Sequence, residues 1–418
     1  MNILITTSRM PFALDEIRKL GRAGHRIIAA DTFDEAPGSR SRYAAVSCSL
    51  PSPRYETEAF LDAVRSVVIE ERGDLILPAF EEALHFAKHR DSVDLGAPVF
   101  APDYETLVTL HDKARFQELA TRLGLAVPET VVATNRAELE SAIARFPRFF
   151  ARAAFSRGGV QLFTNTGPLA GAVSIDDVDA SPKNPILVQE FIDGEDLCTF
   201  MVCHHGRVAA HAAYLHPKEI EHAGGIVFES IHDPSALEAA QVIAEATGYH
   251  GQLSFDFMRT ASGELYLIEC NPRPTAGVIV MPDEMFVEAL LTPKPGVSIA
   301  PPGARRMYAS ALLRDMVVHP SCMLEDLAYL FSDAREVYFE KDDLLPGLWQ
   351  LLSYRKVLEY RKVLDKDQAD NTDLMAAYFY DVQYDAPKSR RHPQPARQDA
   401  VASTDEEPPP SSTFRPAA

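Results

Sequence analysis

Cysteine is scarce in this chain: five in 418 residues (Cys48, Cys198, Cys203, Cys270 and Cys322), none in CxxC spacing. That excludes a disulfide framework and a CxxC-type zinc site, and makes a reducing cytoplasm the expected compartment. Positive charge is also in short supply, 41 Lys and Arg against 60 Asp and Glu, for a net charge of −19. Such a balance argues against nucleic-acid partners and anionic membrane surfaces, while local basic residues can still line a site for a small anion. No apolar run is long enough to span a bilayer. The first residues lack a basic stretch followed by an apolar core, so no signal peptide is expected. Glycine is missing where a dinucleotide site would need it: the first strand runs into Thr7-Ser8-Arg9-Met10-Pro11, without the GxGxxG that lets a backbone approach pyrophosphate. A GxxxxGK[ST] P-loop is absent. No Ser-His-Asp or Cys-His nucleophile is evident, and His204-His205 reads as part of a hairpin turn.

Hydrophobic content of 46% is ordinary for a globular protein with a large core, and the length predicts two to four domains. Residues 1–105 alternate strand and helix, with strands at 2–7, 26–30, 75–78 and 98–101 and helices at 11–23, 61–71 and 81–90. That rhythm predicts a doubly wound parallel α/β domain. From 106 the pattern changes to α+β with antiparallel pairing. One helix is expected over 109–123, another over 136–145, a strand over 186–191 and a helix over 235–247. Residues 299–385 read as a helical region that either covers a site or mediates homodimer formation. Residues 386–418, rich in Pro, Ser and charge, read as disordered.

Two apolar runs, Gly251–Met258 and Leu265–Arg273, flank Ala261-Ser262-Gly263-Glu264 and predict a β-hairpin. With Ser262-Gly263 at its centre, Asp256 faces Glu269 on one side, and Asn271 shares that side. Phe255, Phe257, Ile268 and Cys270 fall on the other, apolar face. Two carboxylates directly opposite repel; a cation between them removes the penalty, and a small oxygen-only set suits Mg²⁺ holding phosphates. A solvated face with two unrelated acids is the plain alternative. Three further segments fit an anionic ligand. Lys113 sits early in an amphipathic helix. Arg152 precedes the loop Ser156-Arg157-Gly158-Gly159, whose adjacent glycines let N–H groups approach phosphate oxygens. Gln189-Glu190-Phe191-Ile192-Asp193-Gly194-Glu195-Asp196 ends a strand in a turn dense with acids. The polar stretch His216–Gly225 reads either as a loop over the site or as plain surface. Glu81 and Glu82 lie either at a ligand-binding sheet edge or simply at a helix start that favours acids.

The ordered set of Lys113, Arg152 with its glycine loop, the QEFIDGED segment and Asp256 with IECNPR resembles the ATP-grasp superfamily over residues 1–295. The resemblance implies a pre-ATP-grasp domain (1–105), a first ATP-grasp subdomain (106–183), and a second (184–298) carrying the metal-binding hairpin. Mg-ATP would be gripped between the two subdomains. It implies a ligase forming C–N bonds that activates a small carboxylate as an acyl phosphate, passes it to an amine-type nucleophile, and releases ADP and phosphate. Carboxyphosphate chemistry, or nucleotide binding without catalysis, are the alternatives on the same fold. Carried over residue by residue, Asp256, Glu269 and Asn271 are the ligands of Mg²⁺ (or Mn²⁺), and Arg273 contacts the substrate carboxylate or acyl phosphate. Lys113, Arg152, Ser156, Gly158 and Gly159 hold ATP phosphates. Gln189, Glu190, Phe191 and Ile192 frame adenine, and Asp196 or its neighbour Glu195 binds ribose. The chain departs from the superfamily's pattern at Arg152, where lysine is usual; arginine bridges phosphates through its fork.

Overall fold

The computed structural model describes residues 1–155, 162–167, 169–171, 173–219, 224–367 and 374–385. The N-terminal unit holds β1 (Asn2–Ile5), α1 (Pro11–Arg22), β2 (Arg26–Asp31), β3 (Ala44–Ser49), α2 (Thr57–Glu71), β4 (Leu75–Leu77) and α3 (Glu82–His89). Its sheet, ordered β3-β2-β1-β4, is parallel throughout. Ile3, Leu4 and Ile5 are fully buried, as a strand covered by helices on both faces requires. Residues 98–101, expected as a strand, contribute only one bridge, Val99 to Ile76. β3, which the sequence reading missed, alternates half-buried and exposed residues at the sheet edge.

Next come α4 (Tyr104–His111), α5 (Lys113–Arg122), β5 (Thr130–Ala133), α6 (Arg136–Arg145), β6 (Phe149–Ala153), β7 (Leu162–Thr164) and β8 (Ile186–Glu190). The single helix expected over 109–123 is two. Asp112 takes an extended backbone, and its carboxylate accepts the N–H groups of Ala114 and Arg115, a local bond that competes with helix continuation. The small antiparallel sheet runs β5-β8-β6-β7. β8 therefore belongs with the elements before it, and a division at 183/184 would cut this sheet.

The large sheet is built from β9 (Gly194–His204), β10 (Arg207–Glu219), β11 (Gly225–Ile231), then, after α7 (Pro234–Thr247), β12 (Gly251–Thr260) and β13 (Leu265–Asn271). Short helices α8 (Gly277–Val280) and α9 (Asp283–Leu291) follow, then β14 (Ser298–Ile299), β15 (Arg305–Met307), α10 (Ala309–Val318), α11 (Met323–Leu330), β16 (Arg335–Glu336), α12 (Leu345–Asp367) and α13 (Leu374–Tyr378). The strand order is β13-β12-β9-β10-β11-β15-β16, with β14 on β10. The region after 299 is thus helical with two strands that extend this sheet, because Val227 and Phe228 offer β15 an unfilled edge.

One apolar core runs from the parallel sheet into one face of the large sheet, including Ile5, Ile27, Phe80, Phe200, Val202, Tyr214 and Val280. Lys19 of α1, almost fully buried, donates to the carbonyls of Val278 (2.5 Å) and Met281 (2.7 Å) at the end of α8, where a cation meets the orphan carbonyls of a helix end. A Cβ at Gly277 would lie 2.3 Å from Phe200 Cβ, so glycine alone lets α8 lie this close to β9. The chain after 337 returns to the first unit. Buried Arg18 pairs with Asp343 at 2.8 Å, and buried Arg9 pairs with Asp31 and, at 2.9 Å, with Asp381.

Candidate active site

The β12–β13 hairpin pairs Asp256 with Glu269, Phe255 with Cys270 and Ser254 with Asn271. Nearer the turn the register differs by one: Phe257 meets Leu267 and Arg259 meets Leu265. The turn is not the expected two residues. Ala261–Gly263 form a three-residue loop with Gly263 at φ +86°, and a bulge at Ile268 restores the pairing beyond it. Leu267 therefore occupies the core position expected of Ile268, being 1% exposed.

The extra residue leaves the Ile268 carbonyl free of the ladder. Arg152 Nη2 donates to it at 2.9 Å and Gln117 Nε2 at 3.0 Å. Arg152 Nη1 reaches Glu269 Oε2 at 2.7 Å, and Lys113 Nζ lies 3.3 Å from Glu269 Oε1. Lys113 is the first residue of α5, with its own N–H bonded to Ala154 O at the end of β6 (3.0 Å). A lysine there opposes the helix dipole, and the Glu269 carboxylate offsets it. Burial works against the charge on Glu269, but Lys113 and then Arg152 hold its carboxyl below the usual value. Across the hairpin, burial and then the charge of Glu269 raise the Asp256 carboxyl.

Asn271 links Asp256 to Arg273. Its Nδ2 donates to Asp256 Oδ2 at 3.1 Å, and its Oδ1 accepts from Arg273 Nη2 at 3.1 Å. The Arg273 guanidinium lies 4.5 Å from the Phe80 ring centroid, at the carboxyl edge of the parallel sheet. Ser254 Oγ holds the Arg273 carbonyl (3.0 Å) and continues through Thr275 Oγ1 to Tyr214 Oη. Six residues singled out in the sequence, Lys113, Arg152, Asp256, Glu269, Asn271 and Arg273, are thus one connected cluster.

The segment expected to frame adenine lies apart, on β8 and the link to β9. Gln189 Nε2 donates to Thr130 Oγ1 (3.0 Å), and Glu190 Oε1 accepts from the Glu129 N–H (2.8 Å). The Phe191 N–H is held by Arg148 O, and the Arg148 guanidinium stacks on the Phe191 ring at 4.5 Å. These side chains serve the small sheet. The ladder separates Asp196 from Glu195. Cys198 pairs with Asp256 and Asp196 with Met258, so Asp196 shares the face of Asp256, whereas Glu195 pairs with Arg259 on the other. His216 and Glu219, 3.2 Å apart, belong to β10 and not to a loop. Residues 220–223 and Ser156, Gly158 and Gly159, expected to hold phosphates, lie outside the described residues, as does the tail 386–418. Glu82 is a scaffold acid that accepts from Thr6 Oγ1 and the N–H groups of Ala79 and Phe80, and Glu81 accepts from the Tyr384 N–H.

Among the described residues no group of three or more His, Cys, Asp or Glu is placed to hold a metal. The set here is two facing carboxylates and an amide oxygen, the small oxygen complement that suits Mg²⁺ shared with phosphates. The like-charge strain between Asp256 and Glu269 is what such an ion relieves. Sequence reasoning missed Gln117, Ser254 and Phe80. Helical spacing from Lys113 marks the first, and alternation from Asp256 marks the second; nothing local marks Phe80.

Residues 112–277, which span every member of this cluster, match the family described as the ATP-grasp domain. The chain carries an ATP-grasp domain. Over 232 residues it is 25% identical to the carbamoyl phosphate synthase large chain of Helicobacter pylori, covering 52% of this chain and 21% of that one. The chain thus spans about a fifth of the length of the curated relatives it matches. In three dimensions the ATP-grasp domain and its flanks resemble N5-carboxyaminoimidazole synthetase from Staphylococcus aureus (TM-score 0.57, 13% identity, 77% of this chain and 86% of that one). They also resemble biotin carboxylase from Campylobacter jejuni (TM-score 0.54, 17% identity, 71% and 72%). At these identities the likeness is one of fold. No helix among the described residues is long and apolar enough to cross a membrane.

Proposed function

We propose that the protein is an ATP-dependent ligase that activates a carboxylate as an acyl phosphate for attack by an amine or similar nucleophile, releasing ADP and phosphate. The observation that carries this reading is Glu269, bonded to Lys113 and Arg152 while facing Asp256. Both cations pair with the Glu269 carboxylate. With nucleotide bound they would turn to its phosphates, and Asp256, Glu269 and Asn271 would hold Mg²⁺, which when present offsets phosphate charge. Arg273, steadied by Asn271 and Phe80, would receive the substrate carboxylate through its fork. The remaining backbone groups of Glu190–Ile192 would read the adenine edge, and Asp196 the ribose.

The test is ADP and phosphate release from Mg-ATP across a panel of acids and amines. Production of AMP and pyrophosphate instead would overturn the acyl-phosphate reading. Sequence similarity to carbamoyl phosphate synthase large chains favours a second reading, carboxyphosphate formed from bicarbonate. ATP hydrolysis that depends on bicarbonate and on no organic acid would select it.

A further inference from the structure

The exposed large apolar side chains of this protein are unevenly spread. Of 21 among the described residues, 15 fall between Leu313 and Val363, and the densest group is on α12. That helix is two-faced in an unusual way. Its inner side, with Ser353 and Val357 buried and Tyr360 and Leu364 half-buried, packs on Phe33, Ala36 and Ala377. Its first turns are apolar on the outer side as well: Leu344, just before the helix, and Leu345, Leu348, Leu351 and Leu352 are each 49 to 56% exposed. Beyond Leu352 the outer side is mixed, with Arg355, Glu359 and Lys362 exposed among Tyr354, Leu358 and Val363. A helix apolar all round belongs in an interior, so this half lacks a covering surface.

We infer that the outer face of α12 around Leu348 is the contact between two copies of this chain. The chain's own undescribed segments do not suit the role. Residues 386–418 contain only Val401 and Phe414 as large apolar side chains, and residues 368–373 contain none. A bilayer surface is disfavoured by the net charge of −19. The leucines offer roughly 500 Å² of apolar surface, at the upper end for one patch on a monomer. With their polar rim they approach the roughly 800 Å² per partner of a stable interface. A two-fold axis beside Leu348 would set the face on its own copy, as an isologous contact does, leaving Arg355, Glu359 and Lys362 at its rim.

Sedimentation of the full chain at micromolar concentration tests this. The expected result is a species of twice the chain mass that Leu348→Glu with Leu352→Glu converts to monomer. Circular dichroism should be unchanged, since both side chains are half exposed already. Leu324→Glu on α11, a more exposed leucine (84%) outside this face, should leave the dimer intact. A monomeric wild type, a dimer that survives the α12 pair, or a dimer lost through Leu324→Glu alone would overturn the inference, as would α12-dependent binding to vesicles by a monomer.

Discussion

Replacing Glu269 by glutamine tests the site through two effects that other readings do not join. Its carboxylate meets Arg152 at 2.7 Å and Lys113 at 3.3 Å, and both cations are more than nine-tenths buried. At an effective dielectric of about 20 each pair is worth on the order of 5 kcal/mol before desolvation. Breaking such a buried pair costs about 3–5 kcal/mol net. Glutamine retains one hydrogen bond to Arg152, worth about 1–2 kcal/mol, so the ligand-free protein should lose about 2–3 kcal/mol. Denaturant unfolding reads that loss. Mg-ATP at a hundredfold excess over its dissociation constant should stabilise the wild type by about 2.7 kcal/mol and the variant by far less. Metal-free ATP should reverse that order, because only in the variant are the two cations released from the Glu269 carboxylate. ADP release should fall to background. Unaltered turnover, or equal stabilisation of both proteins by Mg-ATP, would refute the assignment of Glu269 to the metal and of Lys113 and Arg152 to the phosphates.

Asp256→Asn should act in the opposite direction on stability while also abolishing turnover. The wild-type carboxyl is raised to about 6 by burial and by Glu269, so its ionisation weakens the fold as pH rises from about 4 through 6. The variant should be more stable by about 3 kcal/mol at pH 8 and no more stable at pH 4, read from denaturation curves at both pH values. His211, buried on β10 with its pKa lowered to about 4 by burial and then by His232, should cost stability on the acid side. Unfolded protein takes the proton near pH 6.5 and folded protein does not until about 4. About 3 kcal/mol should therefore be lost between those values, and His211→Leu should flatten that slope.

The legible parts of the fold were those fixed by short-range patterning. Pro11 at a helix start, the buried run of β1 and the apolar face of residues 136–145 each announce their element. The Asp256–Glu269 pairing was legible because strand alternation is strict over a few residues. The hairpin turn was not, because Gly263 serves a two-residue turn and a three-residue loop equally well, and the compensating bulge leaves no local mark at Ile268. The break between α4 and α5 depended on whether Asp112 capped a helix or faced solvent within one. β15 and β16 escaped notice because two- and three-residue strands carry no periodicity; the edge of β11 pairs β15, and β15 in turn pairs β16. Phe80 under Arg273 is a contact between residues 193 positions apart, which only the assembled sheets bring together.

The Ile268 bulge has a consequence for which changes this site can tolerate. Removing Ile268 would make the hairpin regular and still leave the aspartate opposite the glutamate, since the rest of β13 would slide into phase with the turn. What would vanish is one carbonyl oxygen, the one to which Arg152 and Gln117 both attach. The residue contributes main chain and not side chain. Valine, threonine or leucine at 268 should therefore serve nearly as well as isoleucine, measured by ATP turnover. The one-residue deletion, which spares both acids, should leave Arg152 unanchored and turnover at least tenfold lower.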